Sequence, residues 1–275
     1  MTLLAAWIRE SGSSIQLNLA ADSRLSFGAR WDCCPKIVPL IRNDSALAFC
    51  GATLFAYPML LQLSNAIRNY PKAESRELDI AKLRPHFLKT IDSMRSQVTN
   101  LPQGEHGIDT TDFKILLAGW SSKMGQFKAW SLHFDAATGA FGHRAMSFHQ
   151  KHFAGTKPFL FMGDRVREAY HLLREKLKER GKLTKGGLDM EPLEILVDMC
   201  ESDQYPEIGG PPQLVRIYSY ASVLPINVLW PRNHSRYVAY FGRPLLSYEG
   251  SKYACLDLNN MELLSPQVAQ QRLEP

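Results

Sequence analysis

Apolar positions change period along the chain, and the changes divide it into elements. Leu3 to Ile8 and Ile15 to Ala21 are short apolar runs joined by Arg9-Glu10-Ser11-Gly12-Ser13-Ser14, a stretch of turn formers. That pattern predicts a β-hairpin. Lys36-Ile37-Val38-Pro39-Leu40 and Ser45-Ala46-Leu47-Ala48-Phe49-Cys50 read as further strands, broken by Arg42-Asn43-Asp44 and ended by Gly51. From Thr53 to Asn69, and again from Ser75 to about Val98, apolar residues recur three to four apart. In the second stretch Ile80, Leu83, Phe87, Leu88, Ile91 and Met94 fall near one face, so two helices are predicted.

Leu101-Pro102-Gln103-Gly104-Glu105-His106-Gly107 is a loop by composition. Strands are predicted at Phe113 to Gly119, Lys128 to Phe134 and Pro158 to Met162, with a turn at Asp135 to Gly139. Helices follow at Arg165 to Arg180 and Glu191 to Cys200, then a strand at Gln213 to Tyr220. Pairs of helices set between blocks of strands imply an α+β fold with helices outside and sheet inside. Beyond Pro231, Tyr237 to Phe241 and Lys252 to Leu256 flank a Gly- and Pro-containing middle, which suggests an added hairpin. The expected division is a main domain over 1–230 and a C-terminal extension, hairpin and tail, over 231–275.

Composition narrows the classes of function. At 275 residues and 45% hydrophobic content the chain can bury a full core. Its net charge of +5 is spread out, and the densest basic stretch, Arg174 to Lys185, also holds Glu175 and Glu179. It reads as a solvated helix face, so no nucleic-acid partner is expected. No apolar run approaches the roughly 18 residues of a membrane span and no secretory signal is evident, so a cytoplasmic protein without membrane association is expected. Five cysteines without a repeated spacing read as reduced thiols. No P-loop, dinucleotide turn or zinc-protease motif occurs, and no cofactor or metal is expected. Phe148-His149-Gln150-Lys151-His152-Phe153 carries two histidines but no other ligand at metal spacing, and reads as a polar loop.

Four features, in order, carry candidate chemistry: Thr2 after the initiator Met1, the run Ala20-Ala21-Asp22-Ser23-Arg24 closing the first hairpin, Lys36 opening the next strand, and Gly51 ending the one after. With this order the chain resembles the β-type subunits of proteasomes and the related bacterial proteasome-like peptidases, N-terminal nucleophile hydrolases. The likeness covers about residues 2 to 230. It implies a four-layer αββα sandwich, here with a C-terminal β-hairpin extension, and a threonine-type peptidase or amidase.

In such an enzyme Thr2, freed by removal of Met1, is the nucleophile, and its own α-amine is the base. An α-amine with an ordinary pKa of about 7.7–8.0 suits that task. Lys36 would lower the pKa of both groups, Asp22 would hold Lys36, and the Gly51 N–H would face the oxyanion. The resemblance further implies that Leu25, Cys34, Val38, Phe49 and Thr53 line a specificity pocket and that Ser26 pairs with the substrate backbone; each is equally a core position.

Phe161-Met162-Gly163-Asp164 and Ile208-Gly209-Gly210 also match the family, with departures. Asp164 and Ile208 stand where serines are expected, and Tyr205 stands for an acid. Asp164 is either part of the site or the N-cap of the following helix. The implied substrate is a peptide or unfolded protein, and the implied assembly a homo-oligomeric ring, with a separate ATPase partner left open. The competing reading is an inactive or non-peptidase scaffold subunit of the same fold.

Overall fold

The computed structural model describes residues 2–12, 14–27, 29–99, 112–150, 157–233 and 235–273. The first hairpin is β1 (Leu3–Ser11) and β2 (Ser14–Ala21), followed by the small hairpin β3 (Leu25–Phe27) and β4 (Ala29–Trp31), then β5 (Ile37–Pro39) and β6 (Ser45–Gly51). Helices α1 (Thr53–Arg68), α2 (Pro71–Glu74) and α3 (Leu83–Arg95) precede strands β7 (Phe113–Ser121), β8 (Gln126–Asp135), β9 (Ala140–Met146), β10 (His149–Gln150) and β11 (Lys157–Gly163). Helices α4 (Val166–Glu179) and α5 (Glu191–Glu201) lead to β12 (Gln213–Tyr218), β13 (Ser222–Trp230), β14 (Tyr237–Tyr240), β15 (Arg243–Pro244), β16 (Cys255–Asp257), β17 (Glu262–Leu264) and α6 (Pro266–Gln271).

The result is a mixed α/β protein rich in strands. A ten-stranded sheet runs β10-β11-β1-β2-β12-β13-β14-β15, with β16 and β17 joined through β13, and a five-stranded sheet runs β5-β6-β7-β8-β9. Alternation along the strands decides which sheet face each side chain serves. Leu4, Ala6, Leu17, Leu19, Val215 and Ile217 of the large sheet meet Ile37, Ala46, Ala48, Leu116 and Ala118 of the small one in one buried cluster. Leu3, Ala5, Trp7 and Leu214, on the other face, pack beneath Leu173, Leu177, Leu193 and Leu196 of α4 and α5. Leu47, Phe49, Ile115 and Leu117 pack against Met59, Leu63, Phe87 and Ile91 of α1 and α3. Among the described residues no helix is long and apolar enough to cross a membrane.

Three sequence expectations change. The helix expected from Ser75 to Val98 is broken: Arg76 has φ +67, and Asp79 accepts from the Ala81 N–H at 2.9 Å. A short 3-10 turn at Ile80–Lys82 then leads into α3, so the local cap overrides the longer apolar period. Strand β13 was not foreseen, because Pro225 lies inside it. It is tolerated where β12 alone flanks β13, since β14 and β16 pair only with residues 227 to 230.

The third change concerns the extension. Tyr237 to Tyr240 and Cys255 to Asp257 do not pair with each other; both pair with β13, the first antiparallel and the second parallel. The local hairpins are instead β14 with β15 and β16 with β17. The loop expected at 101–107 lies outside the described residues, as do Lys151, His152 and Phe153 of the histidine stretch.

Candidate functional site

The site begins where β2 ends. Leu4 of β1 pairs with Ala21, so the next residue, Asp22, comes back beside the start of β1. Its Oδ1 accepts from the Leu3 N–H at 3.0 Å and from Lys36 Nζ at 2.9 Å, and its Oδ2 from the N–H groups of Arg24 at 3.1 Å and Gly209 at 3.3 Å. Both side chains of the Asp22–Lys36 pair are fully buried. Burial pushes the Asp22 carboxyl above its ordinary value, opposed by the Lys36 charge and by the hydrogen bonds it accepts. One carboxylate oxygen thus ties Lys36 to the residue next to Thr2.

Thr2 is itself held from the other side. Its N–H donates to Asp164 Oδ2 at 2.6 Å, and its carbonyl accepts from the Asp164 N–H at 2.7 Å. The capping role considered for Asp164 is not taken: Arg165 is the N-cap of α4, in the left-handed region, with no side-chain cap bond. Strand register sets this contact, with Leu3 opposite Gly163. A Cβ at Gly163 would lie 2.0 Å from the Thr2 carbonyl oxygen, so only glycine permits the approach.

Gly51 closes the arrangement. It has φ +100, and a Cβ there would meet the Asp112 carbonyl oxygen at 2.4 Å. Gly51 and Cys50 line a cleft of about 170 Å³ together with Gly163, Asp164, Lys114 and His133. The end of β6 therefore faces the segment that holds Thr2. The Cys50 thiol in this wall is pushed up to about 12 by burial, and burial likewise raises Cys34, so neither is a ready nucleophile.

The six residues expected to bind substrate divide in two. Leu25 and Thr53 line an apolar pocket of about 300 Å³ with Ala29, Trp31 and Leu54. Cys34 and Phe49 are core residues behind it, the Phe49 ring 5.1 Å from that of Tyr57. Val38 is half-buried on β5, opposite Leu47. Ser26 sits on β3, which among the described residues pairs with β4 alone, and its buried Oγ has no hydrogen-bond partner among them. An edge of this kind can accept an extended peptide.

Two residues support the site: Gln213, which carries no signal in the sequence, and Arg24, which belongs to the run Ala20 to Arg24 but was assigned no role of its own. Gln213 accepts from the Lys36 N–H at 2.8 Å through Oε1, and donates through Nε2 to the Cys34 carbonyl at 2.8 Å and to Ser23 Oγ at 2.9 Å. It locks β12 to both segments that carry Asp22 and Lys36. Arg24 forms a two-pronged pair with Asp32 at 2.6 and 2.7 Å and donates to the Pro206 and Ile208 carbonyls, fixing the loop that presents Gly209. A lone Gln at a strand start carries no such signal. Tyr205 and Ile208 belong to the apolar cluster under α5. Among the described residues no group of three or more metal-ligating side chains comes together. No family model matches the chain, and no curated protein matches it in sequence.

Proposed function

We propose that the chain is an N-terminal threonine hydrolase acting on peptide bonds, with the four-layer αββα arrangement of N-terminal nucleophile hydrolases. The observation that carries this reading is the buried Asp22–Lys36 pair fastened to the Leu3 N–H, adjoining a Thr2 whose N–H and carbonyl are both held by Asp164. A fully buried ion pair is costly to desolvate and is weakly justified by stability alone. Beside a hydroxyl on the second residue, it has a chemical use.

Once Met1 is removed, the Thr2 Oγ attacks the scissile carbonyl carbon while the α-amine takes the hydroxyl proton. The Gly51 N–H stabilises the oxyanion, and collapse of the intermediate expels the leaving amine, which carries off a proton and leaves an acyl ester on Thr2. Water, deprotonated by the same amine, hydrolyses the ester. The pocket of Leu25 and Thr53 favours an apolar side chain on the acyl side. Peptides or unfolded proteins are the proposed substrates and a ring of identical subunits the proposed assembly, in the cytoplasm.

One observation favours a second reading, an inactive scaffold subunit: the Asp164 carboxylate lies 2.6 Å from the Thr2 nitrogen, where it would hold a freed amine as its cation. N-terminal sequencing combined with labelling by an electrophilic peptide such as an epoxyketone separates the two. Adduct on Thr2, lost in Thr2→Ala, supports the hydrolase. A chain that starts at Thr2 and takes no label supports the scaffold.

A further inference from the structure

The C-terminal extension reaches back to the candidate site through one hairpin tip. Strands β14 and β15 pair Ala239 with Pro244 and Tyr240 with Arg243, which leaves Phe241 and Gly242 as a two-residue turn. Both have positive φ, +46 and +90, the combination of a type I′ turn, where Asn-Gly is a usual choice. A bulky aromatic in the left-handed region is strained, and such strain persists only where the surroundings hold it. Here they do. Loop tips ordinarily face water, but Gly242 is buried and Phe241 packs against the apolar cluster between the two sheets.

What the tip meets is the residue after Asp22. A Cβ on Gly242 would lie 2.3 Å from Ser23 Oγ, 2.6 Å from Ser23 Cβ and 3.3 Å from the Cys33 carbonyl carbon. Ser23 is fully buried and fixed in place: its Oγ donates to the Pro211 carbonyl and accepts from Gln213 Nε2 at 2.9 Å, and its N–H donates to the Gly209 carbonyl at 2.9 Å. Gln213 in turn accepts from the Lys36 N–H, and the Gly209 N–H donates to Asp22 Oδ2. Ser23 is thus bonded to both residues that place the Asp22–Lys36 pair.

We propose that Gly242 is a positioning residue: the tip of the extension seats on Ser23 and holds the Asp22–Lys36 pair in place beside the start of β1. The extension is then part of the site rather than an appendage. The catalytic consequence rests on the hydrolase reading of Thr2; the seat itself does not. Lys36 lowers the pKa of the Thr2 amine only while Asp22 keeps it there. Loosening the seat therefore weakens hydrolysis and lets the amine pKa rise.

Four forms of the full chain test this as a cycle: wild type, Gly242→Ala, Ser23→Gly and the double variant. Ser23→Gly removes both atoms nearest the added methyl, while the strain of alanine at positive φ is common to both backgrounds and cancels. Gly242→Ala is expected to speed amide hydrogen exchange at Leu3, Ser23 and Gly209. It should also lower kcat/KM for a fluorogenic peptide with leucine on the acyl side by about ten- to a hundredfold, the scale of a displaced reacting group. The acidic limb of the pH profile should move to higher pH. In the Ser23→Gly background the same substitution should change each readout by less than about twofold. Exchange needs no activity, so a wild type that neither hydrolyses peptides nor labels at Thr2 removes the hydrolase reading, and exchange alone then decides the seat. Unchanged exchange at the three amides, an equal effect of Gly242→Ala in both backgrounds or, in an active enzyme, an unmoved acidic limb would overturn the proposal. Should Gly242→Ala fail to fold, recovery of the fold in the double variant supports the seat on Ser23, and failure of both refutes it.

Discussion

Asp22 concentrates the most interactions at the residue scale. Asp22→Asn keeps the shape but leaves Lys36 buried beside a neutral amide, and removing one partner of a buried pair costs about 3–5 kcal/mol. Urea unfolding should register that loss, and hydrolysis should disappear with it; near wild-type stability would mean that Lys36 is compensated elsewhere. Asp164 makes a different prediction. A carboxylate 2.6 Å from the Thr2 nitrogen favours the protonated amine and so raises its pKa above about 7.7–8.0. In the proposed hydrolase the amine acts as base and must be neutral, so kcat/KM should climb only as pH passes that raised value. Asp164→Ser, restoring the residue the family resemblance leads one to expect, should move the acidic limb of the profile to lower pH. An unmoved limb would remove Asp164 from the proton path.

At the scale of elements, the C-terminal extension hangs on one acid. Asp257 of β16 pairs with Arg236 and with Arg272, which follows α6. Burial pushes its carboxyl up, but the Asn259 N–H and the two arginines outweigh burial and hold it below its ordinary value. A depressed carboxyl contributes stability that is complete above the unfolded pKa of about 3.9 and is lost as pH falls through the folded value. Hydrogen exchange should therefore find residues 255 to 273 opening before the central strands as pH drops below about 4. Asp257→Asn should remove that extra acid sensitivity, and uniform opening across the sheet would refute it. The same region marks where the sequence was hard to read: strands at Tyr237 and Cys255 are plain from their apolar runs, but that both join β13 depends on pairing between distant segments.

For the whole molecule, the proposed ring predicts a native mass that is an integral multiple of the 31.1 kDa chain. Leu54 and Leu61 of α1 and Trp31 of β4 are all more than half exposed, which is costly for an isolated subunit. Leu61→Asp should shift the native mass toward the monomer, and a wild type that is monomeric at micromolar concentration would exclude the ring. If the proposed ring and the apolar pocket share the Trp31–Leu54 surface, dissociation should also weaken hydrolysis.

Local sequence determined many of the elements. The Leu3–Ala21 hairpin, β6 ending at Gly51, α1, α4 and α5 follow from periodicity and turn residues, because those forces act within a few positions. The order Thr2, Asp22, Lys36, Gly51 stood out only through the family resemblance, although each residue stands at the start or end of such an element. Tertiary structure alone decided what surrounds them. Gln213 reaches Lys36 across 177 positions, and Asp164 reaches Thr2 across 162. Asn18 and Arg216 look like ordinary polar strand residues in the sequence, and only the folded sheet shows that both are buried. Burial and partner choice are properties of strands meeting from distant parts of the chain, and no local pattern encodes them.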